Sequence, residues 1–526
     1  MGTIVIDPVT RIEGHLKVEA VVEGGVVKEA RSAGMLFRGF EIILKGRDPR
    51  DAQHLTQRVC GVCPTAHALA AALALDTAFG IDDRIPDNGR ILRNLIHGSN
   101  YLQSHILHFY HLAALDFVDV TDAGKYQGND PGLQSVKKFI QRAGDRQDPG
   151  ALGPFAPRYE GDYRLPAAVN QAAVAHYLQA LDMRRTAHEM ASIFAGKQPH
   201  AVAVVPGGVT MLPTPDNITA FYWRLNQLRD FIDNVYIPDV VAVAEAYGDY
   251  FGIGVGPGNF LSYGVFDLDG KEKDQTRRKR LHAQGTVSAS DLKHRPLDPG
   301  KITEEVAASW YSSKSGLHPS EGETVPDSKK DGAYSWLKSP RYEDSVYEVG
   351  PLARMLVSYV AGNPQVKKLI DDTLSHFKAQ PSALVSVLGR HAARALETKL
   401  VADAMAEWVL QLKPGEPISV NYTMPDEGQG VGLWEASRGA LGHWLRISGG
   451  KIANYQLVVP TTWNASPRDS KEQPGPIEQA IVGTKVKDES NPVEIVRIVR
   501  SFDPCIACAV HLVTPQGRDL AQFQML

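Results

Sequence analysis

Cysteine is scarce in this chain: four occur in 526 residues. A chain this long with so few thiols is not built on a disulfide framework. An excess of basic charge is also missing. Lys and Arg number 56 against 60 Asp and Glu, for a net charge of −4. That balance argues against nucleic acid as the main partner and against a generally basic membrane-binding face. No run approaches the ~20 apolar residues a membrane helix needs, so the chain is expected to have no transmembrane segment of its own. The start, Met1-Gly2-Thr3-Ile4-Val5-Ile6-Asp7-Pro8, has neither a basic stretch nor a long apolar one and is not expected to act as a signal peptide. What remains is ordinary for a folded soluble chain. It is 43% hydrophobic and 22% charged, with length enough for a large core.

The few thiols are not scattered. They form two Cys-x-x-Cys pairs, Cys60 with Cys63 and Cys505 with Cys508, one near each end. Two residues between cysteines on a turn let both thiolates face one soft metal. Four thiolates make a complete ligand set, so the spacing predicts one metal site assembled from the two ends of the chain.

Between them the pattern is mainly helical with small β regions. Leu16, Val18, Ala20 and Val22 alternate with mostly polar neighbours, and Gly24-Gly25 precedes Val26-Val27, which predicts a β-hairpin. Helical patterns run from Asp51 into Cys60, from Ala66 to Phe79 with Thr65 as cap and Gly80 as stop, and from Arg90 to Leu112. Others run from Val169 to Ala195, from Ile218 to Val235 (ending before Pro238), and from Ser382 to Leu412. Ile418–Tyr422 and Tyr455–Val459 read as strands. His97, His105, His108 and His111 share one helix, and without an acidic partner at matching spacing they read as satisfied interior histidines. Arg277-Arg278-Lys279-Arg280 reads as a solvated loop. Gly252, Gly254, Gly256 and Gly258 lack the strand-turn-helix setting of a phosphate loop.

Three metal sites fit four cysteines. Zinc ribbons place their pairs ~15–20 residues apart, whereas Cys63 and Cys505 stand 442 positions apart, leaving only a zinc staple closing the whole chain. A mononuclear iron electron-transfer site needs no such scaffold. A catalytic transition-metal centre gains from a large rigid body that excludes water. Arg58, His67, Asp503 and His511 sit within a few residues of the thiolates, and this polar surround favours the catalytic centre.

At this point a resemblance becomes specific. Arg58-x-Cys60-Gly61-x-Cys63-x-x-x-His67 and Asp503-Pro504-Cys505-x-x-Cys508-x-x-His511 resemble the two signatures of the large subunit of nickel-iron hydrogenases. Further similar blocks are Thr10–His15, Phe37–Glu41, Gly46–Asp51, Gly350–Arg354, Arg438–His443 and Val459–Asn464, so nearly the whole chain is covered. The implied fold is the large multi-region helical fold of that subunit, with both terminal segments meeting at the metals. The implied reaction is reversible heterolytic splitting of dihydrogen, in an enzyme of respiratory uptake type. Quinone-site subunits of respiratory complexes share the fold but lack the paired cysteines.

The resemblance also implies roles. All four thiolates would bind nickel, Cys60 and Cys505 terminally, with Cys63 and Cys508 bridging to an iron that carries cyanide and carbon monoxide. Splitting dihydrogen into hydride and proton needs a base beside the Lewis acid, and Cys505 is that base by analogy. Glu13 would be the first proton acceptor. Arg438 would overhang the open coordination position, Thr461 would contact a cyanide, His67 would hydrogen-bond a bridging sulfur, and Asp503 would join the polar canopy. Glu41, His511 and the Leu457 carbonyl would hold magnesium or a similar ion. Two positions depart from the commoner pattern: Ser437 stands where a proline is frequent, and Ser104 where many relatives have an aspartate.

With every cysteine committed to nickel, no iron–sulfur cluster can be held by thiolates of this chain. An iron–sulfur small subunit is therefore the implied partner, with the Gly196–His200 turn near its closest cluster. Residues 1–511 would form one functional unit. Residues 512–526 would be a tail removed by a maturation endopeptidase after nickel-insertion chaperones have acted, making the chain a precursor. The compartment would follow the small subunit: periplasmic or membrane-associated if that subunit carries a twin-arginine signal, cytoplasmic otherwise.

Overall fold

A computed structural model describes residues 2–145 and 161–509. The first strands are β1 (Gly2–Ile6), β2 (Leu16–Glu23) and β3 (Val26–Gly34), an antiparallel sheet in that order. The expected alternation holds, with Leu16, Val18, Ala20 and Val22 all buried on one face. Gly24 and Gly25 both have positive φ, 59° and 73°, the conformation a two-residue hairpin turn requires.

Helix α1 (Pro64–Ala78) follows directly on the first cysteine pair. Its cap is Cys63, with Pro64 in the first turn, where a missing N–H costs nothing. The expected cap, Thr65, lies inside the helix and is buried. Helix α2 (Asp87–Leu107) runs on into a π-turn over His108–Ala113. The long helices α3 (Ala167–Ala195), α4 (Pro215–Phe231) and α5 (Val387–Val409) complete the bundle, with α2 packed between α3 and α5. Gly196 ends α3 at φ 79°. The expected stop before Pro238 is absent. A π-turn (Ile232–Tyr236) links α4 to a helix over Ile237–Ala246, and Pro238 sits in that helix's first turn, where it displaces no hydrogen bond.

A second antiparallel sheet, β4 (Gly428–Ala436), β5 (Gly439–Ser448) and β6 (Lys451–Val458), carries α1 on its face. The contact is unusually close. A Cβ added at Gly430 would lie 1.9 Å from the Ala74 carbonyl oxygen, and one at Gly432 would lie 2.0 Å from that of Ala70. Ile418–Tyr422 is not a strand. It runs alongside the two-residue strand Gly208–Val209, held by Val209 N–H to Ile418 O and Val420 N–H to Gly207 O, between Pro417 and Pro425, which cannot donate to a ladder. Helix α6 (Val493–Ser501) leads into the C-terminal cysteine segment.

The basic run is a solvated loop only in part, with Arg277 and Lys279 exposed. Arg278 and Arg280 are buried, and both pair with Asp267, at 3.1 and 2.7 Å. The histidines of α2 and its π-turn are interior, as expected. His97, His108 and His111 bond the carbonyls of Glu435, Arg500 and Tyr177. His105, however, meets an acid from a distant helix, Glu397, at 3.0 Å. The glycines at 254 and 256 lie against Arg390, whose guanidinium donates to Gly254 O at 2.7 Å and pairs with Glu348. Among the described residues no helix is long and apolar enough to cross a membrane.

Candidate metal centre

The two cysteine segments meet. The Sγ atoms of Cys60, Cys63 and Cys505 all lie within 4.8 Å of one another, and all three residues are buried. Cys60 Sγ and Cys505 Sγ are 3.3 Å apart, well beyond a disulfide bond of about 2.05 Å. Three soft donors converging on one point fit a thiophilic metal. The Cys508 side chain and all of His511 lie outside the described residues.

Each segment is held by groups remote in sequence. The N-terminal turn is fixed through Val62 O, which accepts from Asn100 Nδ2 at 3.1 Å and Gln103 Nε2 at 2.9 Å, both on α2. Arg38 donates to Arg58 O and Val59 O just ahead of Cys60. The backbone amides of Val62 and Cys63 donate to Cys60 Sγ at 3.2 and 3.4 Å, an arrangement that favours the thiolate. The C-terminal segment pairs with residues near the start of the chain. Ile506 N–H donates to Glu13 O at 2.7 Å, and Glu13 N–H donates to Pro504 O at 3.4 Å.

That pairing sets the Glu13 side chain beside a sulfur. Cys505 Sγ lies 3.1 Å from Glu13 Oε2, which also accepts from Ala507 N–H at 2.9 Å. Burial raises the Glu13 pKa, and the charge of Cys60 adds to the rise, against the hydrogen bonds from Cys505 and Ala507.

Arg438 is tied to the residue two before Cys505. Its Nε donates to Asp503 O at 3.1 Å, its Nη2 lies 2.9 Å from Asp503 Oδ1, and its Nη1 donates to Ser104 Oγ at 3.3 Å. Ser104 Oγ in turn meets Ser437 Oγ at 2.9 Å, so both departures from the commoner pattern touch each other and the arginine. Burial works against the Arg438 charge, but Asp503 and then the cysteine sulfurs outweigh it and raise its pKa. Asp503 holds φ 55°, a strained value for a residue with a side chain, immediately before the cysteine loop. Thr461, in the short helix Pro460–Asn464, accepts from Cys505 N–H at 3.0 Å. His67, one turn into α1, is buried and pushed down to about 4 by burial.

Glu41 and Leu457 also come together, since Leu457 N–H donates to Glu41 Oε1 at 2.9 Å. Thr324 Oγ donates to Glu41 Oε2, and Lys338 Nζ lies 3.9 Å from it. His200, in the Gly196–His200 turn, is half-buried and shares its surroundings with Arg58.

Several participants have no role assigned from the sequence, although Arg354 ends the Gly350–Arg354 block. Arg354 pairs bidentately with Glu397, at 2.5 and 2.7 Å, and donates to Ala436 O and Ser437 O at 2.9 and 2.8 Å. It therefore holds the turn that presents Arg438. Thr324, Lys338 and Asn100 are likewise brought in only by the fold, from loops and helices whose local patterns do not mark them.

The family model for nickel-dependent hydrogenase matches residues 38–511, and a HoxL-like model matches residues 3–33. Among curated proteins the chain is similar to the periplasmic NiFeSe hydrogenase large subunit of Desulfomicrobium baculatum, 42% identical over 97% of this chain and 95% of that one. It is also 38% identical to the uptake hydrogenase large subunit of Rhizobium leguminosarum bv. viciae, over 99% and 97%. Among solved structures, the oxidised Ni-Fe-Se hydrogenase of D. vulgaris Hildenborough superposes with a TM-score of 0.84 at 44% identity, covering 97% of this chain and all of that one.

Proposed function

The chain belongs to the nickel-dependent hydrogenase family as its large, catalytic subunit, and on that footing we propose how its residues hold the metals and carry the proton. The reaction is reversible heterolytic splitting of dihydrogen, with electrons passed to an iron–sulfur small subunit. Cys60, Cys63 and Cys505, with Cys508, would hold a nickel–iron centre whose iron would carry cyanide and carbon monoxide. That centre supplies the Lewis-acid site at which dihydrogen is polarised.

The observation that carries the reading is the contact of 3.1 Å between Cys505 Sγ and Glu13 Oε2 beside the converged sulfurs. Cys505 Sγ takes the proton and hands it to Glu13 Oε2. The raised proton affinity of Glu13 brings the carboxylate closer to the thiol in basicity, which keeps the transfer from being strongly uphill. The backbone pairing of Glu13 with Pro504 and Ile506 keeps donor and acceptor at contact distance. With the centre bound, Arg438 and Asp503 would form its polar canopy, Thr461 would offer a hydroxyl to a cyanide ligand, and His67 would donate to a cysteine sulfur.

Glu41, the Leu457 carbonyl and the His511 ring would hold magnesium or a similar hard ion. Residues 512–526 are removed by a maturation endopeptidase once chaperones have delivered nickel. The assembly is periplasmic or membrane-associated through a signal on the small subunit.

The deciding experiment is Glu13→Gln in the assembled enzyme. Nickel content should match the wild type, while turnover falls by about 100-fold or more, the scale of a lost proton-transfer group. Near-normal turnover removes Glu13 from the path. Wild-type protein holding zinc, without nickel or iron, overturns the metal centre itself. Intact mass of the nickel-loaded sample tests the tail, since a mass covering all 526 residues rules out its removal.

A further inference from the structure

A buried chain of three side chains leads away from the cysteine cluster through His67. Tyr455 Oη, on β6, lies 2.8 Å from His443 Nδ1, on β5. His443 Nε2 lies 3.3 Å from His67 Nδ1. All three residues are at most 1% exposed. His67 stands four residues after Cys63, near enough to Cys60 for the sulfur's charge to act on its ring.

The chain can run in only one direction. A neutral imidazole has one donor and one acceptor. Both side chains are sealed from water, where an imidazole and a phenol are favoured in their uncharged forms, so the ring has one N–H and the phenol keeps its proton. If His67 donated to His443, and His443 to Tyr455, the phenol O–H would have no acceptor in the chain. A buried O–H left so forfeits its hydration with nothing in return. His67 Nε2 would then also have only a lone pair to offer, in a ring that feels the charge of Cys60. In the opposite direction every proton is used: Tyr455 O–H to His443 Nδ1, then His443 Nε2–H to His67 Nδ1.

We propose that Tyr455 and His443 are positioning residues that fix His67 as the Nε2–H tautomer, so that the imidazole donates toward the cysteine cluster. An N–H aimed at a metal-bound thiolate draws charge from the sulfur and tunes the metal, as outer hydrogen-bond partners do. Neither Tyr455 nor His443 touches the Glu13 path. The inference rests on the nickel–iron reading above.

The test uses assembled enzyme labelled with nitrogen-15 histidine and oxidised to an odd-electron nickel state. Pulsed electron paramagnetic resonance of the wild type should show a nitrogen coupling that vanishes in His67→Gln. Tyr455→Phe, which removes one oxygen atom, and His443→Leu should each reduce that coupling by half or more, at unchanged nickel content. His443→Gln should retain it, because a carboxamide can accept from the phenol and donate to His67 Nδ1 in the same sense. Coupling that persists in Tyr455→Phe and His443→Leu overturns the inference, as does its loss in His443→Gln or its absence in the wild type. A wild type without nickel overturns the metal-centre reading instead, and this inference with it.

Discussion

Glu478 keeps its proton to a higher pH than an ordinary carboxyl although it bonds well. Its Oε1 accepts from Ser32 N–H at 2.9 Å and from the Tyr334 hydroxyl at 2.8 Å, linking β3 to the short helix Pro476–Ile481, and the residue is fully buried. Burial pushes its pKa up from 4.5 to about 7, despite the bonds from Ser32 and Tyr334. The sign follows from linkage. Below the unfolded value both states are protonated and folding carries no penalty. As pH rises through the window from 4.5 to about 7, the unfolded chain releases a proton that the folded chain retains, so stability falls. The full loss above that window is about 3 kcal/mol, at ~1.4 kcal/mol per pH unit. Glu478→Gln should lack this slope. Melting curves of both proteins near pH 5 and near pH 8 should therefore show the variant gaining on the wild type at the higher pH, and a gap that moves the other way contradicts the assignment.

At the scale of elements, the seat of α1 on β4 decides where the first cysteine pair lies. Ala66, Ala70, Ala74 and Ala78 repeat every fourth residue along the helix, and Gly428, Gly430 and Gly432 alternate along the strand, so backbone meets backbone. Gly432→Ala puts a methyl group 2.0 Å from Ala70 O, against a rigid carbonyl. Overpacking of this kind costs about 1–3 kcal/mol. It also lifts a helix whose cap is Cys63 and whose first turn carries His67, so nickel content should drop along with the melting temperature. Gly248→Ala, where an added Cβ meets nothing within 4 Å, is the matching control and should retain both. Equal nickel in the two variants would show that the seat of α1 does not govern the site. The alanine stripe is visible in the sequence, but its partner strand begins about 350 residues later, and nothing local announces it. Half of the basic run was misread for the same reason: Arg278 and Arg280 look solvated until Asp267 and Asp82 are folded against them. Periodicity found the long helices because each of those segments carries its own repeat.

For the whole molecule, the convergence of the two ends was legible, since paired thiols at each end have few other uses. The means of closing them was not. Arg500, at the end of α6, donates to Thr10 O at 2.9 and 2.8 Å and to Asp116 Oδ1 at 2.5 Å, while Arg11 Nη2 reaches the same oxygen at 2.6 Å. Asp116 is fully buried, and despite that burial Arg11 and Arg500 hold its pKa below the ordinary carboxylate range. One carboxylate about 100 residues from either Arg11 or Glu13 thus ties the segment bearing Glu13 to the segment bearing Cys505. Asp116→Ala leaves two guanidinium groups buried around a missing counter-charge, a change that costs about 3–5 kcal/mol. The loss should not be uniform. Amide hydrogen exchange should quicken together in residues 10–15 and 503–507, because each segment is the other's backbone partner through Glu13, Pro504 and Ile506. Exchange in β4, β5 and β6, which have their own ladder, should stay at its wild-type rate. Loosening of only one terminal segment would mean that the other is anchored independently, and that Asp116 is not what closes the molecule around its metals.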